Sequence, residues 1–205
     1  MTGLPQRTPA GEGAPLRVIK LGGSLLEWPG LVDSIRQWLS AQPPAVNVIV
    51  VGGGAIVDVV RTLDRAQGLG DEVAHWLAIQ AMGVSAALVA ELLAEATIIE
   101  SIRDINLDSN APLQILVVER FLRELEGTDN CLPNSWDVTS DSIAARVASV
   151  LNATELVLLK SALPNAAGSL PEFAEQGYVD GYFPKAAAGL RVRFVDLRDA
   201  VFAEL

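Results

Sequence analysis

The chain has 205 residues, half of them hydrophobic and 20% charged, which is the size and composition of one α/β domain with a full hydrophobic core. Its formal net charge of −10 argues against a nucleic-acid-binding surface, because such a surface needs clustered lysine and arginine side chains. Its single cysteine, Cys131, excludes an intrachain disulfide and a metal site with several thiolate ligands, and these values together favour a cytoplasmic protein.

The N-terminal segment 1–15 contains proline, glycine and threonine but no long apolar run, which predicts a disordered tail rather than a signal peptide. Residues 16–205 are predicted to form a single domain. The longest apolar stretch, 73–93, is interrupted by four polar residues, so neither a membrane span nor a membrane partner is expected.

Apolar runs rich in β-branched residues predict strands at 16–21, 46–51, 96–100, 113–118, 155–160 and 191–197. Segments with helical periodicity predict helices at 28–41, 55–67, 71–95, 121–126, 141–151 and 199–205. The segments 103–112, 127–138 and 162–189 are predicted to be irregular, and the second is either a lid or a surface crossover. Apolar strands that alternate with helices predict an α/β fold, a mostly parallel sheet with helices on both faces.

Two glycine clusters each follow a predicted strand directly, Gly22-Gly23 in the first case and Gly52-Gly53-Gly54 in the second. Glycine has no Cβ, so consecutive N–H groups can approach an anion closely, and the helix that follows adds its positive N-terminal end. Ligands of parallel sheets bind beyond the carboxyl ends of the strands, where both clusters lie. The sequence therefore predicts two phosphate-binding loops, although a strand-to-helix turn also uses glycine for steric reasons alone.

Charged residues accompany these loops. Lys20 lies near the end of an apolar strand, where an ammonium group is costly unless it reaches a partner or solvent. The glycines that follow favour contact with phosphate over simple extension into solvent. Asp141 begins a predicted helix, where it either serves a site or caps the helix. Neither the P-loop pattern nor the dinucleotide fingerprint is present.

Four motifs in this order resemble the amino acid kinase family: Lys-x-Gly-Gly-Ser at 20–24, Gly-Gly-Gly at 52–54, Thr-Ser-Asp at 139–141 and Leu-Val-Leu-Leu-Lys at 156–160. The resemblance implies an open αβα sandwich in which residues 16–126 bind the phosphoryl acceptor and residues 127–205 bind ATP with Mg²⁺, without protein ligands to the metal. It also implies that Lys20 and Lys160 contact the transferring phosphoryl group while Asp141 orients the lysines. The residues that it places around ATP are Gly22, Gly23, Ser24, Gly53, Gly54, Thr139 and Ser161.

Two longer strings, at 71–82 and 132–145, are similar to a short subgroup of that family, which is related to a kinase of an aminomethyl-furan phosphate in methanofuran biosynthesis. Lys160 also resembles the lysine of uridylate kinases, whose acceptor is a phosphate monoester. The expected partner is therefore a small-molecule phosphate monoester, and its candidate contacts are Gly52, Asp58, His75, Trp136 and Asp137. As alternatives, His75 and Trp136 are core residues, and Asp58 forms an exposed pair with Arg61 one helical turn away.

The sequence is also compatible with two other functions. One is a nucleoside monophosphate kinase of uridylate type, and the other is a non-catalytic protein that binds a nucleotide or an oxyanion. The presence of Lys20, Asp141 and Lys160 together favours an enzyme. The segment 161–168 lacks the Val-Asp-Gly usual in the family, so the contacts to adenine are not predicted. A homodimer or a higher homo-oligomer is expected.

Overall fold

The computed structural model describes residues 14–108, 110–111, 113–164 and 167–199. Within these ranges the strands are β1 (Leu16–Leu21), β2 (Val46–Val51), β3 (Thr97–Ile99), β4 (Gln114–Leu116), β5 (Glu155–Lys160) and β6 (Val192–Asp196). The α-helices are α1 (Leu31–Ser40), α2 (Gly54–Gln67), α3 (Asp71–Leu92), α4 (Val118–Leu125), α5 (Ser140–Val150), α6 (Leu170–Glu175) and α7 (Phe183–Ala186).

The strands form one sheet in the order β3-β4-β2-β1-β5-β6, and every pair of neighbours is parallel. In the centre of the sheet, Lys20 of β1 is level with Val50 of β2 and with Leu158 of β5. The arrangement confirms the predicted α/β fold class. Since the chain moves from β1 to β2 on one side and later to β5 on the other, the ends of these three strands meet at a switch point where parallel sheets bind ligands.

Each face of the sheet carries its own core, because side chains alternate between the two faces along a strand. One face is built from aliphatic residues of the central strands packed against α3, α4 and α5, and it includes Val18, Val48, Val50, Leu156, Leu158, Met82, Phe121 and Ile143. The opposite face packs mainly against α1 and the end of α3, and it includes Ile19, Leu21, Ile49, Val157, Leu159, Ile35, Trp38 and Val89. Lys20 has the parity of Val18, so its side chain projects toward α5.

The predicted elements differ from the observed ones mainly in the last quarter of the chain. The segment 162–189, predicted to be irregular, contains α6 and α7. Helix α6 begins with a capping box in which Ser169 and Glu172 satisfy each other's backbone and side-chain groups. Helix α6 has six residues and helix α7 has four, which are too few to display a helical period in the sequence. Neither helix could therefore be predicted from its pattern of apolar residues. Residues 200–205 of the predicted C-terminal helix lie outside the described residues.

The predicted N-terminal tail also lies mostly outside the described residues. Of its residues, Ala14 packs against the core, and the Pro15 carbonyl accepts a hydrogen bond of 2.8 Å from the Val46 N–H. The Pro15 carbonyl therefore extends the pairing of β1 with β2 by one residue.

Helix α3 is the one helix in the described part of the chain that is long and apolar enough to cross a membrane, with a mean hydropathy of 1.6 over its most apolar window. More than half of that window, 56%, is buried inside the fold. Its buried positions include His75, Ile79 and Met82, which line the cleft, and Val89, which packs in the core on the opposite face of the sheet. Helix α3 thus behaves as a core helix with one open side.

Candidate active site

The two glycine loops touch each other at the carboxyl edge of the sheet. The Gly22 N–H donates to the Leu159 carbonyl at 2.9 Å, and the Gly52 N–H donates to the Leu21 carbonyl at 2.8 Å. A Cβ on Gly23 would lie 2.2 Å from the Gly54 nitrogen, which leaves no room for any side chain. Gly54 also has a φ of +55°, a conformation that other residues rarely adopt. Glycine is required here because two backbones meet.

Beside these loops, two lysines share one aspartate. The Nζ atom of Lys20 lies 2.7 Å from Asp141 Oδ1, and the Nζ atom of Lys160 lies 2.7 Å from Asp141 Oδ2. The three side chains are 7%, 14% and 5% exposed for Lys20, Lys160 and Asp141 respectively. Two ammonium groups on one carboxylate leave one net positive charge at the edge of the cleft, where an anion can bind.

The charges of this trio are set by their mutual contacts. Burial favours the neutral form of Asp141, but the two lysines outweigh it and hold the pKa of this carboxyl below its usual range. Burial and the neighbouring charge of Lys20 lower the pKa of Lys160, while Asp141 and Asp180 oppose that change. Asp141 is therefore ionised at neutral pH and holds both ammonium groups in place.

The start of α5 places Asp141 between the lysines. The Thr139 hydroxyl caps the helix by accepting from the Asp141 N–H at 3.4 Å. Asp180, which precedes α7, accepts from the Thr139 N–H at 3.0 Å, from its hydroxyl at 2.8 Å, and from the Ser142 N–H at 3.0 Å. Asp180 is not among the predicted site residues, because its Asp-Gly dipeptide has the appearance of an ordinary turn.

A cleft of about 720 Å³ opens over the trio and the glycine loops. The residues from the sequence prediction that line it are Lys20, Gly22, Gly23, Ser24, Gly53, Gly54, Asp58, His75, Trp136, Thr139, Lys160 and Ser161. Asp141 lies behind the lysines, and Gly52 is buried where the first glycine loop packs against it. Asp137 is exposed and lies outside the cleft lining. The cleft therefore brings together most of the predicted site and leaves Asp137 at its periphery.

One end of the cleft is formed by the segments after β5 and α6. The Ser24 and Ser161 hydroxyls lie 3.3 Å apart and join the first glycine loop to the end of β5. The Tyr178 hydroxyl donates to the Ala162 carbonyl at 3.0 Å, and burial raises the pKa of this phenol. The Tyr178 ring also stacks edge-on with Phe173 and Phe194. At this end the Tyr178 ring therefore lines the cleft beside Lys160.

The other end is apolar, with a single imidazole. Val57, Ile79, Met82 and Ile143 line it together with His75, which is only 6% exposed. Burial, helped by the charge of Arg123, lowers the pKa of His75, so the ring is neutral at neutral pH. Within the described ranges the His75 ring nitrogens make no hydrogen bond, so they are available to a ligand in the cleft.

A side-chain cluster on α2 holds the segment 127–138 against the cleft. The Trp136 Nε1–H donates to Asp64 at 2.8 Å, and the Arg61 guanidinium lies 4.7 Å from the centre of the Trp136 ring. Arg61 also forms a 2.6 Å ion pair with Asp58, which has the predicted i, i+3 spacing. One face of Trp136 and one oxygen of Asp58 are therefore already engaged by Arg61.

The site suits phosphate groups better than a metal ion held by the protein alone. Two touching glycine loops and two ammonium groups match the size and charge of polyphosphate. Among the described residues, no group of three or more His, Cys, Asp or Glu could hold a metal ion. A Mg²⁺ ion in this cleft would therefore take most of its ligands from phosphate oxygens and water, as Mg²⁺ commonly does at nucleotides.

Comparison with known proteins agrees with this geometry. A (5-(aminomethyl)furan-3-yl)methyl phosphate kinase from Methanocaldococcus jannaschii is 24% identical over 188 residues, which cover 90% of this chain and 76% of that protein. The crystal structure of a UMP kinase from Bacillus anthracis superposes with a TM-score of 0.63 at 15% identity, over 92% of this chain and 90% of that one. A uridylate kinase from Archaeoglobus fulgidus gives a TM-score of 0.58 at 14% identity, over 87% and 89% of the two chains.

The sequence matches the amino acid kinase family over residues 15–162, a range that contains Lys20, both glycine loops, Asp141 and Lys160. The parallel sheet and the position of these residues at its carboxyl edge agree with that match. The chain therefore belongs to the amino acid kinase family.

Proposed function

We propose that the protein transfers the γ-phosphoryl group of ATP to a phosphate monoester, with an aminomethyl-furan phosphate of methanofuran-type biosynthesis as the acceptor. The observation that carries the proposal is the buried trio in which Lys20 and Lys160 each lie 2.7 Å from Asp141, at the edge of a cleft formed by two glycine loops. Membership of the family supports phosphoryl transfer, and the name of the Methanocaldococcus jannaschii relative supports the acceptor.

The trio suits a reaction that needs charge neutralisation more than proton removal. Phosphoryl transfer passes through a loose transition state whose charge is spread over the equatorial oxygens, and preorganised cations stabilise it. An oxygen of the acceptor phosphate forms the new bond to phosphorus while the bond to the ADP oxygen breaks, so the products are a diphosphate and ADP. A phosphate acceptor is already an anion and needs no general base. This agrees with Asp141, whose two oxygens each lie 2.7 Å from a lysine ammonium and whose lowered pKa makes it a weak base.

The apolar end of the cleft suits the ring of such an acceptor. Val57, Ile79 and Met82 offer a hydrocarbon surface, and the neutral His75 offers one hydrogen-bonding group. Asp58 lies in the same cleft and could pair with a substrate ammonium through the oxygen that does not bind Arg61. Its side chain is 68% exposed, so solvent screens that contact, and we expect it to contribute about 1 kcal/mol at most.

The direct test compares kcat/KM for the aminomethyl-furan phosphate, for its analogue without the amine, and for UMP. We expect the furan phosphate to be the best acceptor and the analogue to be roughly fivefold worse, the factor that corresponds to about 1 kcal/mol. The same two acceptors measured with the Asp58→Asn variant complete a double-mutant cycle. In that variant the acceptors with and without the amine should have the same kcat/KM. If the amine has no effect in the wild type, or if UMP is the best acceptor, the furan assignment is wrong while a kinase assignment stands.

A uridylate-type nucleoside monophosphate kinase is the second candidate. Its support is the similarity of fold to two proteins named as UMP and uridylate kinases, together with Lys160 beside the cleft. At 14–15% identity this similarity establishes the fold only. The kcat/KM for UMP, measured beside that for the aminomethyl-furan phosphate, separates the two candidates.

A further inference from the structure

Asp180 accepts hydrogen bonds from three positions at once although it lies outside the cleft lining. Its carboxylate accepts from the N–H and the hydroxyl of Thr139, from the N–H and the hydroxyl of Ser142, and from the Tyr182 N–H at 3.2 Å. Thr139 and Ser142 flank Asp141 at the start of α5. Asp180 thus fixes this turn to the segment between α6 and α7.

The same two pieces of chain hold the Lys160 ammonium group. Lys160 Nζ donates to Asp141 Oδ2 at 2.7 Å, and it also donates to the Tyr178 carbonyl. Asp141 belongs to the first turn of α5, and Tyr178 precedes Asp180 by two residues. The distance between the two acceptors of Lys160, the Asp141 carboxylate and the Tyr178 carbonyl, therefore depends on the hydrogen bonds that Asp180 makes to the start of α5.

We propose that Asp180 is a positioning residue that joins the Asp141 turn to the Tyr178 segment and so sets the place of the Lys160 ammonium in the cleft. The catalytic consequence rests on the proposed function, because Lys160 acts on a phosphoryl group only if the protein is a kinase. The placement of Lys160 itself is a property of the fold and can be measured without turnover.

Charge gives a second line of support. The charged and titratable groups that face Lys160 are Lys20 on β1, Asp141 on α5, and Tyr178 and Asp180 in the segment after α6. Of these, Lys20 lowers the pKa of Lys160, whereas Asp141 and Asp180 raise it. Loss of the Asp180 charge should therefore lower the pKa of Lys160 further and move the alkaline limb of the kcat profile to lower pH.

The test uses the full chain with Asp180→Asn, which keeps the size of the side chain and removes its charge. The matched control is Glu172→Gln, which removes the carboxylate of the α6 capping box, a group that bonds Ser169 and not Lys160 or its acceptors. We expect Asp180→Asn to lower kcat about 10–100-fold and to leave both KM values within about threefold, since it displaces a catalytic charge rather than a binding contact. Glu172→Gln should leave kcat unchanged.

A second measurement follows Lys160 directly. The chain has only three lysines, Lys20, Lys160 and Lys185, so NMR signals of isotope-labelled lysine can be assigned with a Lys160→Arg variant. Lys160 should titrate at lower pH in Asp180→Asn than in the wild type. This result would show that Asp180 acts on Lys160 even if no phosphate monoester were a substrate, and the failure of the proposed function would then be seen separately.

Several results would overturn the inference. One is a folded Asp180→Asn with the kcat and the Lys160 titration of the wild type, and another is an equal loss of kcat in Glu172→Gln. If Asp180→Asn does not fold, Asp180→Glu tests the positioning role instead, because this variant keeps the charge and displaces the carboxylate. A lowered kcat with a nearly unchanged Lys160 titration in Asp180→Glu supports the role, and an unchanged kcat contradicts it.

Discussion

At the scale of single residues, the two lysines of the trio have different surroundings. Lys160 is held by Asp141 and by the Tyr178 carbonyl, whereas among the described residues Lys20 forms an ion pair with Asp141 alone. If Lys20 is removed, Asp141 and Lys160 remain as a neutral pair, so the fold loses little. The trio then loses its net positive charge and an ammonium group that can contact the transition state.

Replacement of Lys20 by Ala should therefore lower kcat by about 10²–10³ and leave the protein folded, the loss typical of one preorganised electrostatic contact. Lys185→Ala is the matched control, since Lys185 is exposed on α7 and lies outside the cleft lining. Steady-state kinetics and the melting temperature of both variants check the prediction. A wild-type kcat in Lys20→Ala would remove Lys20 from the mechanism.

The stability of the trio should depend on pH through Asp141. Its pKa is lower in the folded state than in the unfolded chain, so the ionised form stabilises the fold above the ordinary value of 3.8. That stabilisation is lost as the pH falls through the folded-state pKa. Asp141→Asn leaves two buried ammonium groups without their partner and should lower the free energy of unfolding by about 3–5 kcal/mol at pH 7. Urea unfolding should show that this difference shrinks in strong acid, and a constant difference would contradict it.

At the scale of elements, the glycine loops depend on direct backbone contact. Gly23→Ala would place a Cβ 2.2 Å from the Gly54 nitrogen and would push the loops apart. We expect this substitution to weaken ATP binding by at least about tenfold, because the N–H groups of both loops would no longer converge on one anion. Calorimetric titration with a non-hydrolysable ATP analogue measures the effect.

Gly83→Ala provides the control for that substitution. Gly83 lies inside α3, and a Cβ there would make an ordinary contact of 3.8 Å with Val117 Cγ1. A helix-interior glycine loses more backbone entropy on folding than alanine, so Gly83→Ala should stabilise the protein by up to about 1 kcal/mol and leave ATP binding unchanged. If both variants bound the analogue like the wild type, the loops would not be the phosphate site.

The elements that could be predicted from the sequence are those with a strong local signal. The bounds of β1, β2 and β5 match the prediction, because buried parallel strands are continuous aliphatic runs that end in glycine or a polar residue. The short helices α6 and α7 carry no such signal. Asp180 could not be found either, since its partners Thr139 and Ser142 are distant in sequence and only the folded chain brings them together. The ion pair between Asp58 and Arg61 could be predicted from the sequence, because the two residues have the i, i+3 spacing of helix neighbours.

At the scale of the whole molecule, α2 and α3 leave an apolar face open. None of the residues of α2 is buried. On these two helices eight large aliphatic side chains are 37–59% exposed: Ile56, Val59, Leu63, Val73, Leu77, Val84, Leu88 and Leu92. Together they expose on the order of several hundred Å² of apolar surface, comparable to the largest patches on monomeric proteins and to much of one side of a standard dimer interface.

We propose a second copy of the chain as the partner of this face. Because two molecules that each carry a net charge of −10 repel one another, a contact between copies is favoured where the surface has little charge. The stripe from Val73 to Leu88 on α3 meets that condition, since its outward positions are aliphatic apart from Gln80. A two-fold pairing of this face would cover both copies with the same residues.

We therefore expect a homodimer, and light scattering coupled to size-exclusion chromatography measures it directly at micromolar concentration. The double variant Val84→Glu with Leu88→Glu should be monomeric, because it would place four carboxylates against each other in the middle of the paired face. Leu107→Glu is the matched control, since Leu107 is 47% exposed in a loop away from α2 and α3, and it should remain dimeric. A monomeric wild type, or a dimer that survives both glutamates, would show that α2 and α3 do not form the contact between copies.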